Sequence, residues 1–369
     1  MSKIPTANGI PVPPITSAES PDKVSKKKHG KAKEATGGMP SRFKLKMQAG
    51  LLRSGQYIGM SLHFLASPRP PNPSFVKKIP STLSHTPGNF ELHFYTPEGY
   101  KEAGKDGRKF PAVVNYHGGG FTIGSATDDA RFARFVLETC NAVFVSVEYR
   151  LAPECPFNVA VDDAADALLW LIQHASEYHI DPERLATSGF SAGANLAITS
   201  TLRLTKHLKD LESQNRTIAS HRIRAIATWY PITDYTLSRE IRRATSKRPD
   251  QTLPPTLTTL FDASYLFPPE LDLANPFLSP SKASDDELIE SIPADVIFYT
   301  CEWDMLLREG EELANRLRAP PINKNVHYKM IPEVPHGWDK APDPIRPAAG
   351  SEALYQECCD LLKAIFDKE

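Results

Sequence analysis

The sequence contains no run of about 20 apolar residues, so it predicts no membrane-spanning helix. Its first residues also lack the apolar core of about 7 to 15 residues that a signal peptide requires. No internal repeat is visible, which argues against a solenoid or propeller. These absences make a globular protein in the cytoplasm the expectation.

Cysteine is scarce and shows no C-x-x-C pair. The five cysteines are Cys140, Cys155, Cys301, Cys358 and Cys359. Their odd number, and their position mostly within predicted strands and helices, argue against a disulfide framework. We expect reduced, buried thiols and no cysteine metal site.

Charge is distributed unevenly along the chain. The net charge is −1, yet residues 1–50 carry ten Lys or Arg against three acidic residues. Residues 1–40 are rich in Pro, Lys, Ser and Gly and lack aromatic side chains, so we expect a disordered basic leader before a domain over residues 41–369. A lysine run is most often solvated; a weak contact with an anionic membrane surface stays open, and nothing else indicates a nucleic-acid partner.

The stretch 41–66 is free of proline and predicts a helix capped by Ser41. An apolar stripe, with a gap at Ser54, repeats every three or four residues and consists of Phe43, Met47, Leu51, Ser54 and Ile58. We expect this helix to pack on the body of the protein, with contact to a membrane surface as the alternative.

From about residue 89 onwards, strand patterns alternate with helix patterns. Such alternation predicts an α/β fold with a mainly parallel sheet covered by helices on both faces. The glycine- and lysine-rich stretch 99–109 reads as a hairpin loop into the next strand. Residues 231–283 are rich in Pro, Leu, Thr and Phe and show little strand pattern. We interpret them as an insertion that covers the functional site.

Two glycine-containing motifs follow predicted strands. Residues 189–193 form the pattern G-x-S-x-G, in which Ser191 would stand at the tip of a tight strand-to-helix turn. Residues 117–121, His-Gly-Gly-Gly-Phe, lie 74 positions before Ser191 as counted from His117. Backbone N–H groups of such glycines can approach a carbonyl oxygen that becomes an oxyanion. Together the motifs indicate a serine hydrolase.

A serine nucleophile needs a base and a carboxylate that orients the base. His336 follows the last predicted strand and is preferred to His221 and His327. Asp304 follows the strand before it and is preferred to Glu302. The resulting order, Ser191, Asp304, His336, is the one associated with the α/β-hydrolase fold.

Five ordered motifs then identify a resemblance: H-G-G-G-F at 117–121, Y-R-L-A-P-E at 149–154, G-x-S-A-G at 189–193, D-x-L-x-x-E-G at 304–310 and P-H-G at 335–337. Over about residues 113–338 the chain resembles the hormone-sensitive-lipase-like family of α/β-hydrolases. The resemblance implies a carboxylic-ester hydrolase without a metal or an organic cofactor. It also implies a helical cap made of about 41–66 and 231–283.

The same resemblance assigns roles to individual residues. It makes Ser191 the nucleophile, His336 the base and Asp304 its orienter. It places the N–H groups of Gly119, Gly120 and Ala192 in the oxyanion hole. His117 and the segment 149–154 would shape the loops behind the site. The family usually has aspartate where this chain has Phe190, and phenylalanine where it has Trp338.

The substrate is less well defined by the sequence. Short- to medium-chain or acetyl esters of apolar small molecules would suit a capped site. Aromatic and leucine side chains that could line it are Phe121, Trp229, Tyr230, Leu266 and Phe267. Two alternatives remain: a non-hydrolytic lyase, cyclase or acyltransferase of secondary metabolism, and a catalytically silent small-molecule receptor, against which the presence of His336 argues.

Overall fold

An eight-stranded sheet runs through residues 40–368, the part of the chain that the computed structural model describes. The predicted disordered leader falls almost wholly outside these residues and stays a prediction. The strands are β1 (Phe75–Pro80), β2 (Asn89–Tyr95), β3 (Phe110–Tyr116), β4 (Val143–Glu148), β5 (Ile180–Phe190), β6 (Ile223–Trp229), β7 (Asp295–Cys301) and β8 (Asn325–Ile331). Their spatial order is β1-β2-β4-β3-β5-β6-β7-β8.

The sheet is parallel from β4 to β8, and β2 pairs antiparallel with both β1 and β4. The predicted mainly parallel sheet is therefore confirmed. The predicted hairpin over 99–109 is wrong, because β2 pairs with β4 and not with β3, and the connection contains a short helix. The strand β1 has no counterpart in the sequence prediction, since its Lys-Lys pair and terminal proline hide the strand pattern.

Helices cover both faces of the sheet, as predicted. They are α1 (Arg42–Leu65), α2 (Ala103–Asp106), α3 (Ala130–Cys140), α4 (Val159–His174), α5 (Ala192–Ser213), α6 (Arg239–Thr245), α7 (Pro255–Tyr265), α8 (Asp285–Ser291), α9 (Leu307–Arg318) and α10 (Ser351–Phe366), with 3₁₀ turns at Pro249–Gln251, Pro280–Lys282 and Trp338–Lys340. One apolar core lies between the sheet and α3 and α10, and the other lies between the sheet and α4, α5 and α9.

The helix α1 is where the prediction says, but its orientation differs. The Ser41 hydroxyl accepts a hydrogen bond from the Lys44 N–H at 3.3 Å and caps the helix. The buried side chains of α1 are Leu45, Ala49, Met60 and His63, whereas the predicted apolar stripe faces solvent. The helix therefore packs on the body as expected, but through these buried side chains and not through the apolar stripe. Polar contacts made by Arg53 and Gln56 on the opposite face set the orientation.

The carboxyl ends of the parallel strands meet at one edge of the sheet, where sites of α/β proteins lie. The strand β3 ends before the glycine motif, and β5 ends at the residue before Ser191. The strands β7 and β8 end three and five residues before Asp304 and His336, respectively. This edge therefore brings together segments that are far apart in the sequence.

None of the helices within residues 40–368 has the length and apolarity to cross a bilayer. All five cysteines are free thiols, four of them buried and Cys155 half-buried.

Candidate active site

Ser191 stands at a strained turn between β5 and α5. Its backbone has φ 55° and ψ −115°, in the region that side chains disfavour. A Cβ at Gly193 would lie 1.8 Å from the carbonyl oxygen of Tyr116, and a Cβ at Gly189 would lie 2.2 Å from the Gly193 oxygen. Both positions therefore require glycine, as the G-x-S-x-G pattern predicts.

The structure brings Ser191, His336 and Asp304 into one hydrogen-bonded chain. The Ser191 Oγ lies 2.7 Å from His336 Nε2, and His336 Nδ1 lies 2.6 Å from Asp304 Oδ2. A carboxylate only accepts hydrogen bonds, so Nδ1–H donates to Asp304 and Nε2 is free to accept the Ser191 proton. This is the geometry that a serine nucleophile needs.

The surroundings of Asp304 hold its carboxylate in place. Its side chain is buried, and Oδ1 accepts a hydrogen bond from the Leu306 N–H at 3.0 Å. The alternative carboxylate, Glu302, binds the Lys247 ammonium at 2.7 Å and the Glu333 N–H at 2.9 Å instead. It is therefore committed to surface contacts on another side of the loop.

The alternative histidines also lie elsewhere. His221 is half-buried and its Nδ1 contacts the carbonyl of Ala219, two residues away. His327, in β8, contacts Asn325 and lies 3.7 Å from Asp295 at the opposite end of the strand from His336. Neither contacts Ser191 within the described residues.

Three backbone N–H groups lie close to Ser191: Gly119 and Gly120 line the same cavity, and Ala192 follows Ser191 in the chain. Gly119 and Gly120 have positive φ angles of 112° and 57°. Within residues 40–368 their N–H groups donate no hydrogen bond, and Ala192 is the first residue of α5, whose N–H has no partner inside the helix. These three residues are the predicted oxyanion-hole donors.

A cavity of about 230 Å³ opens onto Ser191 and His336. One wall is apolar and combines Met60 of α1, Ile123, and three residues of the 231–283 segment, Leu253, Leu257 and Phe261. The polar part of the lining, here called the polar wall, is formed by Gln56, Asp128, Asp129 and Lys340. The cavity is smaller than most ligand sites, which occupy about 300 to 1,000 Å³.

Of the aromatic side chains proposed to line the pocket, Tyr230 does so. Phe121 is instead fully buried and stacks on Tyr265 with ring centres 3.8 Å apart. Trp229 is buried and stacks on Tyr299 at 4.2 Å. These two side chains belong to the packed cores, so their prediction as substrate contacts is corrected. Leu266 and Phe267 also lie outside the cavity wall.

The polar wall leads into a buried charge cluster. Lys340 Nζ lies 2.9 Å from Asp129 and 3.0 Å from Asp339. Burial opposes the charge of Lys340, but the two aspartates raise its pKa well above the ordinary lysine value. Asp339 also accepts hydrogen bonds from the hydroxyls of Tyr230 and Tyr355. The Tyr230 ring meets the His336 ring edge-on, with centres 4.8 Å apart, so this cluster supports the imidazole.

Asp128 is the group of the polar wall whose pKa lies nearest neutrality. Burial raises its pKa to about 6, and the neighbouring Asp129 charge adds to the rise, while His117 and Lys340 oppose it. Its Oδ2 accepts hydrogen bonds from Gln56 Nε2 at 2.5 Å and from the Ser125 N–H at 3.1 Å.

Sequence reasoning did not find the polar wall. Asp128 and Asp129 directly precede α3, and acidic residues are common at helix starts. Lys340 ends the 3₁₀ turn Trp338–Lys340, which carries no motif. The sequence signal for Lys340 is its position three residues after the motif P-H-G. Such proximity does not by itself predict that a side chain lines the cavity.

The first histidine of the glycine motif supports the loop. His117 is fully buried, and its Nδ1–H donates to the Gly118 carbonyl at 2.8 Å. Its ring stacks on Tyr149 with centres 4.2 Å apart, and the Tyr149 hydroxyl donates to the His117 carbonyl. These contacts fit the loop-shaping role that the resemblance implies for both residues.

The fold and this arrangement of serine, histidine and aspartate define a serine hydrolase of the α/β class. A family model described as the α/β-hydrolase fold matches residues 113–340, more than half of the chain. The chain therefore belongs to the α/β-hydrolase family, and the predicted relation to its hormone-sensitive-lipase-like members is confirmed.

Individual relatives agree with this assignment. An arylesterase of Saccharolobus solfataricus is 29% identical over 222 residues, which are 58% of this chain and 67% of the relative. Carboxylesterase 20 of Arabidopsis thaliana is 31% identical over 275 residues, or 71% of this chain and 79% of the relative. The structure of an esterase from Pyrobaculum calidifontis aligns with a TM-score of 0.66 at 25% identity, covering 87% of this chain and 93% of its own.

Proposed function

We propose that the protein is a carboxylic-ester hydrolase in which Ser191 is the nucleophile, His336 the base and Asp304 the residue that orients the base. The continuous hydrogen bonding from Ser191 Oγ through His336 to Asp304, at the floor of a cavity, carries this proposal. The names of the relatives, arylesterase and carboxylesterase, support it.

In the first half of the reaction, Ser191 Oγ attacks the ester carbonyl while His336 Nε2 takes its proton. The N–H groups of Gly119, Gly120 and Ala192 stabilise the negative oxygen of the tetrahedral intermediate. The intermediate collapses, the alcohol leaves with the proton from His336, and the acyl group stays on Ser191. Asp304 stabilises the imidazolium that forms in between.

In the second half, water replaces the alcohol. His336 takes a proton from the water, which attacks the acyl-enzyme carbonyl at the same oxyanion site. Collapse of this second intermediate returns the proton to Ser191 and releases the carboxylic acid.

The dimensions of the cavity support short- to medium-chain or acetyl esters of apolar small molecules. Its volume of about 230 Å³ leaves little room for a long chain. The apolar wall of Leu253, Leu257 and Phe261 suits an alkyl or aryl group. We therefore expect turnover to fall steeply with acyl length.

The proposal includes a cap made of residues 41–66 and 231–283. Gln56 and Met60 come from the first segment, and Leu257 and Phe261 come from the second. The basic leader is no part of this cap, so deleting residues 1–40 should leave esterase activity intact.

Hydrolysis of a p-nitrophenyl ester series, from acetate to dodecanoate, tests the proposal. The Ser191→Ala variant should lose about 10⁴-fold or more in kcat. Ser213→Ala, at the exposed end of the same helix, is the matched control and should behave as wild type. Full activity of Ser191→Ala would remove the nucleophile from the proposal.

A second outcome separates the alternatives on the same scaffold. An organophosphonate that labels Ser191 of a protein unable to hydrolyse any ester of the series would favour an acyltransferase or another non-hydrolytic enzyme. Absence of both labelling and turnover would favour a receptor.

A further inference from the structure

The helix α1 has two opposite faces. Its inner face, with the buried residues Leu45, Ala49, Met60 and His63, rests on the body. On the other side, six large apolar side chains spaced three, four or seven residues apart form one line along the helix. This outer ridge consists of Phe43, Met47, Leu51, Ile58, Leu62 and Leu65, whose exposed fractions range from 39% to 79%. At 100° per residue, the outer ridge is centred about half a turn from the inner face.

Several contacts lock α1 in this orientation. The Arg53 guanidinium donates to the carbonyls of Thr122 and Ala152 at 2.9 and 2.8 Å. The Gln56 carbonyl oxygen accepts from the Gly124 N–H at 2.7 Å. Turning the outer ridge inwards would break these bonds, so its exposure follows from the fold.

The charged residues of α1 itself have one sign. Residues 42–65 contain four Lys or Arg and no Asp or Glu. Lys44 and Lys46, next to Phe43, are exposed. The preceding residues 23–33 add six lysines and no acid. A helix that combines an apolar line with cationic flanks is typical of binding to an anionic lipid surface.

We propose that α1 is a lipid-docking helix, which seats its outer ridge among the acyl chains of an anionic membrane surface while Lys44 and Lys46 meet the headgroups. A second copy of the chain is the less favourable occupant, because a symmetric contact would bring the same positive charges together. Exposed acidic residues that would accept those lysines are absent from α1 itself.

This docking has a consequence for the cavity. Gln56 and Met60 of the same helix line the cavity. A helix with its side chains is about 10 to 12 Å across, so an adsorbed α1 holds the cavity close to the lipid. If the proposed esterase function holds, esters dissolved in the membrane are within reach; the docking itself does not depend on that function.

Vesicle co-sedimentation of the full chain tests the proposal. The lipids are pure phosphatidylcholine and phosphatidylcholine with about 30% phosphatidylserine, at about 0.1 M salt. Wild type should bind the anionic vesicles, and Leu51→Ser combined with Ile58→Ser should bind them at least about 10-fold more weakly. Lys44→Gln combined with Lys46→Gln should reduce the preference for anionic lipid but not abolish it, because the six lysines of residues 23–33 remain.

The matched control replaces two exposed apolar side chains elsewhere. Val76→Ser combined with Ile241→Ser changes residues of similar size on β1 and α6, which are 48% and 52% exposed. This control should bind vesicles as wild type does. Circular dichroism and thermal melting, measured for all variants, should be unchanged because every altered side chain is exposed.

Three results would overturn the proposal. The first is wild type that fails to bind anionic vesicles. The second is unchanged binding by the Leu51→Ser, Ile58→Ser variant, which would assign binding to the lysines alone. The third is a wild-type dimer, seen by sedimentation velocity, that this variant dissociates, because the outer ridge would then belong to a second copy.

Discussion

The ammonium nitrogen of Lys340 lies 3.7 Å from the centre of the Phe190 ring. Phe190 occupies the position where hormone-sensitive-lipase-like proteins usually have aspartate. Asp129 and Asp339 already neutralise the Lys340 ammonium. The Phe190 ring adds a cation–π contact without adding a third carboxylate. Phe190 also stacks on Trp229 with ring centres 5.4 Å apart, which joins the serine turn to the core below it.

Replacement of Phe190 by the family's usual aspartate should therefore destabilise this protein. Phe190→Asp buries a third carboxylate beside one ammonium and leaves a cavity in the core, so we expect a loss of about 3 to 5 kcal/mol in the free energy of unfolding. Phe190→Leu, which keeps the site apolar, should cost about 1 to 2 kcal/mol. Urea denaturation measures both. A Phe190→Asp variant as stable as wild type would contradict this account of the charge cluster.

The glycine loop should tolerate no side chain at position 120. A Cβ there would lie 2.3 Å from the ring of Phe261, at a residue whose φ is 57°. Gly120→Ala should shift the loop and its N–H, lowering kcat about 100- to 1,000-fold, the usual effect of one lost oxyanion donor. The control Gly107→Ala has a similar φ of 70° but no atom within 4 Å of the added carbon. The Gly107→Ala variant should keep the full kcat. A loss of kcat in this variant as large as that in Gly120→Ala would show that backbone strain, and not the contact with Phe261, explains the effect.

The polar wall should make substrate choice depend on pH. Asp128, with a pKa of about 6, is neutral at lower pH and negative at higher pH. The KM ratio of acetylcholine to the neutral 3,3-dimethylbutyl acetate should therefore fall by roughly 3- to 10-fold as pH rises from about 5 to 7. Asp128→Asn should remove this pH dependence, and Asp286→Asn, on the exposed side of α8, should not. A ratio that is flat with pH in wild type would show that the alcohol group does not reach Asp128.

The packing of α1 on the body of the protein should weaken in acid through His63. Its Nδ1–H donates to the Ala341 carbonyl and its Nε2 accepts from Arg131 Nε, both at 3.1 Å, so the ring must be neutral. Burial, reinforced by the charge of Lys340, lowers its pKa from 6.5 to about 4. The unfolded chain thus binds more protons between pH 6.5 and 4, and stability should fall as the pH drops through this window, by up to about 3 kcal/mol.

Thermal melting across this pH range, with wild type and His63→Gln, checks the prediction. The glutamine amide can donate and accept without titrating, so its curve should be flatter between pH 6.5 and 4. His85→Gln, at an exposed histidine, is the matched control and should follow wild type. Parallel curves for wild type and His63→Gln would show that another group dominates the acid response.

Much of the architecture was predictable because its signals are local. The alternation of strand and helix patterns predicted the mainly parallel sheet, and helices cover both of its faces as expected. The strand β1 and its antiparallel pairing were not predicted, because edge strands carry little apolar pattern. The groups of the site were predicted from their places after strands, and the structure brings Ser191, His336 and Asp304 together.

By itself, the sequence determined where glycine must stand, in which order the strands and helices follow, and which side chains come directly after strands. Those features depend on backbone geometry within a few residues. Only the tertiary structure decided that Phe121 and Trp229 pack in the cores while Tyr230 faces the cavity, and that the apolar stripe of α1 turns outwards. Such outcomes depend on contacts between residues more than 60 positions apart, such as Arg53 with Thr122, and the local pattern of a helix does not contain its partner.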